Sequence, residues 1–217
     1  MRFALPFVVL AFAAFASAAD PVVALGDSIT RGERTGVKAD ETFAAVLGER
    51  FKLNVANAGL GGERTDGALA RLQKDVLAKK PKVVLIMYGT NDSYVDKGAK
   101  EPRLTVAKYR ENLVSLVVAI RKSGAEPILM TEPRWAKGEM NGLGEDPNER
   151  LEKYVEACRA VAKERKVPLV DHYQHWKDAE AHGTAIRDWT TDGCHPNPRG
   201  HRELADLIEP ILKKALK

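Results

Sequence analysis

The sequence predicts an α/β protein, a three-layer α/β/α sandwich built on a five-stranded parallel sheet. Short apolar runs rich in Val, Ile and Leu alternate along the chain with longer segments of helical periodicity. Strands without a polar face must be covered on both sides, as in parallel sheets with helices on both faces. Right-handed crossovers then place the helices in two outer layers. A chain of 217 residues is long enough for one such domain.

Each strand is predicted from a short apolar run bounded by residues that favour turns. The first ends at Gly26, and the strongest follows Pro81. In parallel sheets, ligands bind beyond the carboxyl ends of the strands, so the loops at those ends are the places to search for a site. The predicted strands span residues 22–25, 53–57, 83–88, 127–131 and 168–171.

The helices are predicted from apolar residues that recur every three or four positions. Leu69, Leu72 and Val76 have this spacing, and Gly124 closes the longest helical segment. Asn197 and the Pro that follows it fit the N-cap and first turn of the last helix. The predicted helices span residues 40–51, 65–78, 104–123, 148–166 and 198–217.

The N-terminal segment has the pattern of a secretory signal peptide. Arg2 precedes an apolar run over residues 3–15, and small residues offer a cleavage site near Ala18 or Ala19. The competing interpretation is a membrane anchor, but the run is shorter than the ~20 residues that span a bilayer, so we expect no stable membrane insertion. We therefore expect a secreted or periplasmic protein with a signal peptide over residues 1–19 and one domain over 20–217.

Charge and cysteine content narrow the function classes further. The formal net charge is only +4, and basic residues are interspersed with acidic ones, so we expect no nucleic-acid partner. In an oxidising compartment Cys158 and Cys194 could form a disulfide bridge, or each could be an unpaired buried side chain. The sequence leaves both possibilities open.

Residues capable of chemistry follow the first three predicted strands. Ser28 lies in Gly-Asp-Ser at a turn from strand to helix, where its hydroxyl can face a cleft. A glycine-rich loop that begins at Gly59 follows the second strand, and glycine lets a backbone N–H approach a ligand closely. Asn91 follows the third strand, where its amide can donate into the same cleft. Each motif alone is also ordinary turn or cap chemistry.

A fourth loop, just before the last predicted helix, carries Asp192 and His195. An Asp three residues before a His can accept a hydrogen bond from the imidazole Nδ1–H. That contact fixes the tautomer and leaves Nε2 free to act as a base. The alternative is a lone surface histidine near the start of a helix.

Together these four loops resemble the SGNH, or GDSL-type, family of esterases and lipases. Gly-Asp-Ser, the glycine of the second loop, Gly-x-Asn-Asp and Asp-x-x-His occur in the order of that family, across essentially the whole chain after residue 19. The resemblance implies the flavodoxin-like fold of the family and a serine hydrolase that needs no cofactor. Two positions depart from the usual pattern: Cys194 stands where an aliphatic residue is more common, and Ile29 stands where Leu is common.

The resemblance also implies a role for each motif residue. Ser28 attacks an ester carbonyl, His195 takes its proton and returns it to the leaving alcohol, and Asp192 orients His195. The backbone N–H groups of Ser28 and Gly59, with the side-chain amide of Asn91, form the oxyanion hole.

Other histidines and aromatic residues suggest weaker hypotheses. His172 and His175 form a His-x-x-His pair, but no acidic or thiol ligand recurs with zinc-like spacing, so we expect no metal. Trp135 and Trp189 lie in loops predicted to flank the cleft. They could stack on a sugar ring, line an acyl pocket or simply pack locally.

The predicted function is hydrolysis of short-acyl esters, with a small-molecule or glycan O-acetyl ester as the substrate. It is based on the export signal, the polar active-side loops and the few large apolar residues near the motifs. The first alternative is a lysophospholipase or thioesterase that acts on longer acyl chains. The second is a non-catalytic ligand-binding module on the same fold. A nucleotide-binding module is disfavoured because residues 59–62 lack the Lys and the spacing of a P-loop.

Overall fold

The computed structural model describes residues 22–217, which contain one parallel sheet with the strand order β2-β1-β3-β4-β5. Adjacent strands pair in parallel throughout. This arrangement confirms the predicted α/β sheet, and the strand positions agree with the apolar runs to within a few residues. The strands are β1 (Val22–Gly26), β2 (Val55–Gly59), β3 (Val83–Met87), β4 (Glu126–Met130) and β5 (Leu169–Val170).

Helices connect every pair of consecutive strands. Three of the α-helices were not predicted: two short helices that directly follow β1 and β3, and the helix that follows the last strand, β5. The predicted helix over 65–78 is shorter than expected, because a π-helical turn replaces α-helix from Leu72 to Val76. The α-helices are α1 (Ser28–Arg31), α2 (Phe43–Phe51), α3 (Thr65–Arg71), α4 (Thr90–Ser93), α5 (Val106–Lys122), α6 (Pro147–Arg165), α7 (His172–Ala181) and α8 (Pro198–Ala215).

The helices cover both faces of the sheet, as the unbroken apolar strands require. Val22 and Ala24 of β1 pack in one core with residues of α2 and α8. Val23 and Leu25, the alternate residues of the same strand, pack in a second core with α3, α5 and α6. All four side chains are fully buried. The structure is therefore the predicted three-layer α/β/α sandwich.

The strand order reverses at β1, which lies between β2 and β3. From β1 the chain first moves outward to β2 and then returns to the other side of β1 as β3. Ligands of such sheets bind beyond the carboxyl ends of the strands on either side of this reversal. Ser28 follows β1 and Asn91 follows β3, so the topology brings these two motif residues to one edge.

The predicted signal peptide, residues 1–19, lies outside the described residues, and so does its cleavage site. From residue 22 to residue 217, no helix has the length and apolar character needed to cross a bilayer.

Candidate active site

Ser28 is the first residue of α1, immediately after β1. The side chain of Asp27 caps the helix by accepting a hydrogen bond from the Ile29 N–H at 2.8 Å. As the first helical residue, Ser28 has a backbone N–H that no carbonyl of the helix can accept, and this N–H is available to a ligand. The sharp strand-to-helix turn therefore presents both the hydroxyl and the N–H of Ser28.

The hydroxyl of Ser28, the imidazole of His195 and the carboxylate of Asp192 form a continuous hydrogen-bonded series. Nε2 of His195 lies 2.9 Å from the Ser28 Oγ, and Nδ1 lies 2.8 Å from Oδ2 of Asp192. A carboxylate can only accept, so Nδ1 carries the proton and donates it to Asp192. Nε2 is then an acceptor, and the Ser28 hydroxyl donates to it. This is the arrangement that a general base and its nucleophile need.

The loop before α8 is shaped around the carboxylate of Asp192. Its Oδ1 accepts hydrogen bonds from the backbone N–H groups of Cys194 at 3.1 Å and His195 at 2.8 Å. Asn197 ends the loop as the N-cap of α8 and accepts from the backbone N–H groups of Arg199 and Gly200. These contacts within the loop help to orient His195.

Burial and charge set the protonation states of the base and its partner. Burial raises the pKa of Asp192, but the hydrogen bonds from His195 and Cys194 and the charge of His195 outweigh it and hold that pKa at about 2. Burial lowers the pKa of His195 below its usual value of 6.5, and the nearby charges of Arg34 and Arg31 act in the same direction, against Asp192. At neutral pH, Asp192 is therefore ionised and His195 is neutral.

Asn91 lies in α4, close to Ser28, and both ends of its side chain are hydrogen-bonded. Its Nδ2 donates to Oδ2 of Asp27 at 2.7 Å, and its Oδ1 accepts from Nη1 of Arg103 at 3.0 Å. An amide nitrogen carries two hydrogens, so one remains for a ligand in the cleft that Asn91 lines. The structure thus brings Asn91 to the position that the sequence motif predicts.

Gly59 does not have the free N–H that the prediction requires. Its N–H donates to the Asn57 side-chain Oδ1 at 2.9 Å. The glycine packs against α1, because a Cβ at this position would lie 2.1 Å from the backbone nitrogen of Arg31. Its missing side chain thus serves a close approach between β2 and α1. The N–H of Gly59 is therefore not free to act as an oxyanion donor, contrary to the prediction.

The turn that follows Gly59 offers other backbone donors. At the start of this loop, the Leu60 N–H donates to the carbonyl of Gly26 at 3.0 Å. At its end, Thr65 donates to the side chain of Asp92. The loop therefore contacts both the Ser28 loop and the Asn91 loop. A hydrogen bond from the Glu63 N–H to the Leu60 carbonyl closes a β-turn. Residues 61 and 62, both glycines, occupy its centre, and their N–H groups take no part in the bond that closes it.

The cleft beside Ser28 has a volume of about 240 Å³. One wall is aromatic: the rings of Tyr94 and Trp135 stack with centroids 5.9 Å apart. The side chain of Asn148 fixes the backbone of Trp135: its Oδ1 accepts from the Trp135 N–H, and its Nδ2 donates to the Trp135 carbonyl. The cleft is small and bounded by one aromatic face. It is lined by Ser28, Thr90, Asn91, Tyr94, Arg103, Trp135, Cys194 and His195.

Trp189 is not part of this cleft, contrary to the prediction. It is 4% exposed, and its ring packs edge-on against Trp176 at 5.2 Å and stacks on His175 at 6.0 Å. Asn197 donates to its carbonyl at 2.9 Å and fixes the backbone. Trp189 therefore belongs to the core beneath α8.

The two cysteines are unpaired, which settles the alternative that the sequence leaves open. Cys158 lies in the core with α5 and α6, whereas Cys194 lies in the core on the opposite face of the sheet. Both are buried. The sheet separates them, so a bridge cannot form.

Three buried carboxyl groups beneath the cleft had not been predicted. Burial raises the pKa of Asp27 to about 7 and that of Asp92 to about 6, in each case against hydrogen bonds that lower it. Burial also raises the pKa of Glu132, and the charges of Asp27 and Asp92 raise it further, well above the usual range. Burial therefore favours the protonated form of Glu132. The three residues are far apart in the chain, and only the fold brings them together.

The two histidines of the His-x-x-His pair lie in different surroundings. His172 is fully buried, and burial lowers its pKa to about 3, whereas Nε2 of His175 lies 3.4 Å from a carboxylate oxygen of Glu203. From residue 22 onward, no three side chains of His, Cys, Asp or Glu are grouped as metal ligands.

Comparison with known proteins agrees with this geometry. Residues 24–203 match the model of the GDSL-like lipase/acylhydrolase family. The uncharacterized lipoprotein YqeF of Bacillus subtilis is 35% identical over 88% of both chains. Thioesterase 1/protease 1/lysophospholipase L1 of Escherichia coli K12 is 29% identical over 98% of this chain and 93% of the relative. An acetylxylan esterase of Geobacillus stearothermophilus is 29% identical, covering 83% of this chain and 88% of the relative.

Comparison with solved structures also finds a lipase/acylhydrolase. The crystal structure of a lipase/acylhydrolase from Enterococcus faecalis superposes with a TM-score of 0.75 and 29% identity, over 90% of this chain and 96% of that one. The family model and this likeness extend over most of the described residues and include all four motif loops. The chain belongs to the GDSL-like lipase/acylhydrolase family and is a hydrolase.

Proposed function

We propose that this chain hydrolyses short-acyl carboxylic esters, in particular O-acetyl esters of carbohydrates, through an acyl-enzyme on Ser28. The observation that carries the mechanism is the series Ser28–His195–Asp192, with contacts of 2.9 and 2.8 Å. All three side chains are present and hydrogen-bonded, which argues against the alternative of a non-catalytic binding module.

The first half-reaction transfers the acyl group to the enzyme. The Ser28 Oγ attacks the ester carbonyl carbon while Nε2 of His195 takes the hydroxyl proton. The bond from the carbonyl carbon to the leaving alcohol then breaks, and His195 returns the proton to the alcohol oxygen. Asp192 remains ionised throughout and stabilises the imidazolium. General base catalysis of this kind contributes about 10²–10⁴-fold.

The oxyanion that forms during attack needs donors that are already in place. We assign the Ser28 N–H, the free Nδ2–H of Asn91 and a backbone N–H of the turn at residues 61–62. Removing one such donor typically lowers kcat by about 10²–10³-fold.

The second half-reaction reverses the roles of the first. A water molecule donates its proton to Nε2 of His195 and attacks the acyl carbonyl carbon. The bond to Ser28 Oγ then breaks, and the serine recovers its proton from His195. The carboxylic acid leaves, and the site returns to its starting state with no cofactor consumed.

The size and shape of the cleft support a short acyl group. About 240 Å³ is below the range of ~300–1,000 Å³ that is usual for pockets of drug-sized ligands. Trp135, stacked on Tyr94, lines the cleft beside the nucleophile, and an indole ring can pack against the apolar face of a sugar ring. The acetylxylan esterase among the relatives supports the same class of substrate.

The second candidate is hydrolysis of longer acyl esters or thioesters. The Escherichia coli relative supports it, being named a thioesterase and lysophospholipase. Three large apolar side chains on the active-side loops are also exposed: Leu60, Met140 and Leu143. These side chains lie outside the set that lines the cleft, so we place this function second.

A substrate series separates the two candidates. We propose to measure kcat/KM on p-nitrophenyl esters of two to twelve carbons, together with acetylated xylo-oligosaccharides, a lysophospholipid and an acyl thioester. We expect the highest kcat/KM on acetyl esters and no rate with Ser28→Ala. A maximum at eight carbons or more would reject the acetylesterase proposal and favour the second candidate.

We further propose that the chain is exported and that residues 1–19 are removed. The basic and apolar pattern of this segment supports export, and no cysteine stands near the cut to carry a lipid. The test is the N-terminal sequence of the protein after expression of the full chain in a bacterium. We expect a start at residue 19 or 20 in the periplasm or medium. A full-length chain confined to the cytoplasm would reject export.

A further inference from the structure

Asn91 is held in one of the two orientations that a side-chain amide can adopt. Arg103 has only donors, and it contacts the oxygen end of Asn91 at 3.0 Å. The carboxylate of Asp27 contacts the nitrogen end at 2.7 Å. If the amide turned over, its NH₂ group would face the guanidinium and its oxygen would face Asp27. Both existing hydrogen bonds would be lost and two donors would meet at Arg103, so these neighbours fix the orientation together.

The guanidinium of Arg103 is also held in place by contacts with Asp96 and Tyr94. Its Nε and Nη2 donate to the two carboxylate oxygens of Asp96 at 2.9 and 2.6 Å, a bidentate pair. The guanidinium also lies over the ring of Tyr94, 5.0 Å from the centroid. Only Nη1 faces Asn91. We call Asp96, Arg103, Asn91 and Asp27 the Asn91 network.

We propose that Arg103 is a positioning residue for ester hydrolysis. It locks the Asn91 amide so that one Nδ2 hydrogen stays on Asp27 and the other stays directed at the oxyanion. This inference rests on the proposed role of Asn91 as an oxyanion donor. It adds a residue outside the four motif loops, in the segment between α4 and α5.

The charge balance favours an action through Asn91 over direct substrate binding. The positive charge of Arg103 is already paired with Asp96, so the guanidinium is not a free cation for a substrate anion. A hydrogen bond to a charged donor also polarises the amide, which strengthens donation from Nδ2. Donation from the polarised Nδ2 strengthens as negative charge develops on the oxyanion, so Arg103 acts on kcat more than on KM.

A double-mutant cycle tests the inference. Asn91→Ala alone tests the proposed function, with an expected fall in kcat of about 10²–10³-fold. In the wild-type background, we expect Arg103→Met to lower kcat by about tenfold, part of what loss of the whole donor costs, and to leave KM within about twofold. In the Asn91→Ala background, we expect Arg103→Met to have almost no further effect, because its target is gone.

The other outcomes contradict either the inference about Arg103 or the proposed role of Asn91. If Arg103→Met lowers kcat equally in both backgrounds, or mainly raises KM, Arg103 acts on the substrate or on folding and the inference is wrong. If Asn91→Ala lowers kcat but Arg103→Met does not, the inference fails while the proposed function stands. If Asn91→Ala itself leaves kcat unchanged, the proposed role of Asn91 fails first.

Two further variants separate positioning from general stability. Arg50→Met is the matched control, because Arg50 pairs with Asp206 at a similar exposure, 32% against 28% for Arg103, and lies outside the cleft. It should leave kcat unchanged. Asp96→Asn loosens Arg103 without touching Asn91, and its carboxylate is exposed, so the fold tolerates it. We expect a smaller fall in kcat than with Arg103→Met, and an unchanged kcat would contradict the inference.

Discussion

Arg34 donates from Nη2 to the carboxylate of Asp192 at 2.8 Å, across 158 positions of sequence. The oxygen that it contacts, Oδ2, also accepts the hydrogen bond from Nδ1 of His195. One carboxylate oxygen is thus shared between a permanent cation and the base of the site. The positive charge of Arg34 makes a second positive charge on His195 less favourable, which adds to the effect of burial.

This contact predicts a shift in the pH dependence of activity. His195 must be neutral to take the proton of Ser28, so kcat/KM falls as pH drops below the pKa of His195 in the free enzyme. Because that pKa is lowered, the acid limb should lie below pH 6.5. Replacing Arg34 by Gln removes a positive charge and leaves Oδ2 to His195 alone. Both changes raise the pKa of His195, so the acid limb should move to higher pH.

The measurement is the pH profile of kcat/KM for the wild type and Arg34→Gln at one ionic strength. Arg50→Gln removes the same charge far from the cleft and should leave the profile in place. An acid limb that stays fixed, or moves to lower pH, in Arg34→Gln would show that Arg34 does not influence the base.

Asp27→Asn should impair turnover although Asp27 does not react. The new side chain can still accept from the Ile29 N–H through its oxygen, but its NH₂ group would then face the NH₂ group of Asn91. Two donors repel, so Asn91 should leave its position and kcat should fall by about 10–100-fold, with a smaller change in KM. Michaelis kinetics and a thermal melt measure both effects. An unchanged kcat in a folded variant would contradict the role of this contact.

The two tryptophans should respond differently to truncation. Trp189 is buried in the core, so Trp189→Ala should cost about 3–5 kcal/mol of unfolding free energy. Trp135 lines the cleft, so Trp135→Ala should raise KM for an acetylated sugar and cost less stability. Urea unfolding and Michaelis kinetics on both variants check this. A KM effect confined to Trp189→Ala would reverse the assignment.

Gly59→Ala should destabilise the fold more than Gly62→Ala. A Cβ on Gly59 would meet the backbone of Arg31, which cannot move aside, and overpacking typically costs about 1–3 kcal/mol. Gly62 has a φ of +75° but open space around its Cβ position, so only the left-handed backbone penalises Ala there, by about 1–2 kcal/mol. Urea midpoints for both variants give the comparison. Equal stability of Gly59→Ala and the wild type would mean that the close approach is not required.

The strand-end motifs were predictable because their chemistry is local. A buried apolar run, a turn and one polar side chain define where Ser28, Asn91 and His195 lie along the chain. Parallel topology then brings the strand ends to one edge without further information. The contact between His195 and Asp192 is also local, since three residues separate them and the loop closes on the carboxylate.

The features that the sequence did not predict depend on competing hydrogen bonds and on contacts between residues far apart in the chain. The prediction for Gly59 failed because a residue two positions earlier, Asn57, takes its N–H. Asn at that spacing is a known local competitor, so this signal was present in the motif. No local sequence pattern predicts the contacts of Arg34 and Arg103 with site residues. The burial of Trp189 likewise follows from tertiary packing, which periodicity in a loop cannot reveal.

The nucleophile itself offers the most direct test. The folded chain is treated with a fluorophosphonate, digested and mapped by tandem mass spectrometry, with His195→Ala as the control that lacks the base. We expect a stoichiometric adduct on Ser28 that is lost in Ser28→Ala and greatly slowed in His195→Ala. An adduct on another side chain, or no adduct on folded protein, would show that Ser28 is not the nucleophile.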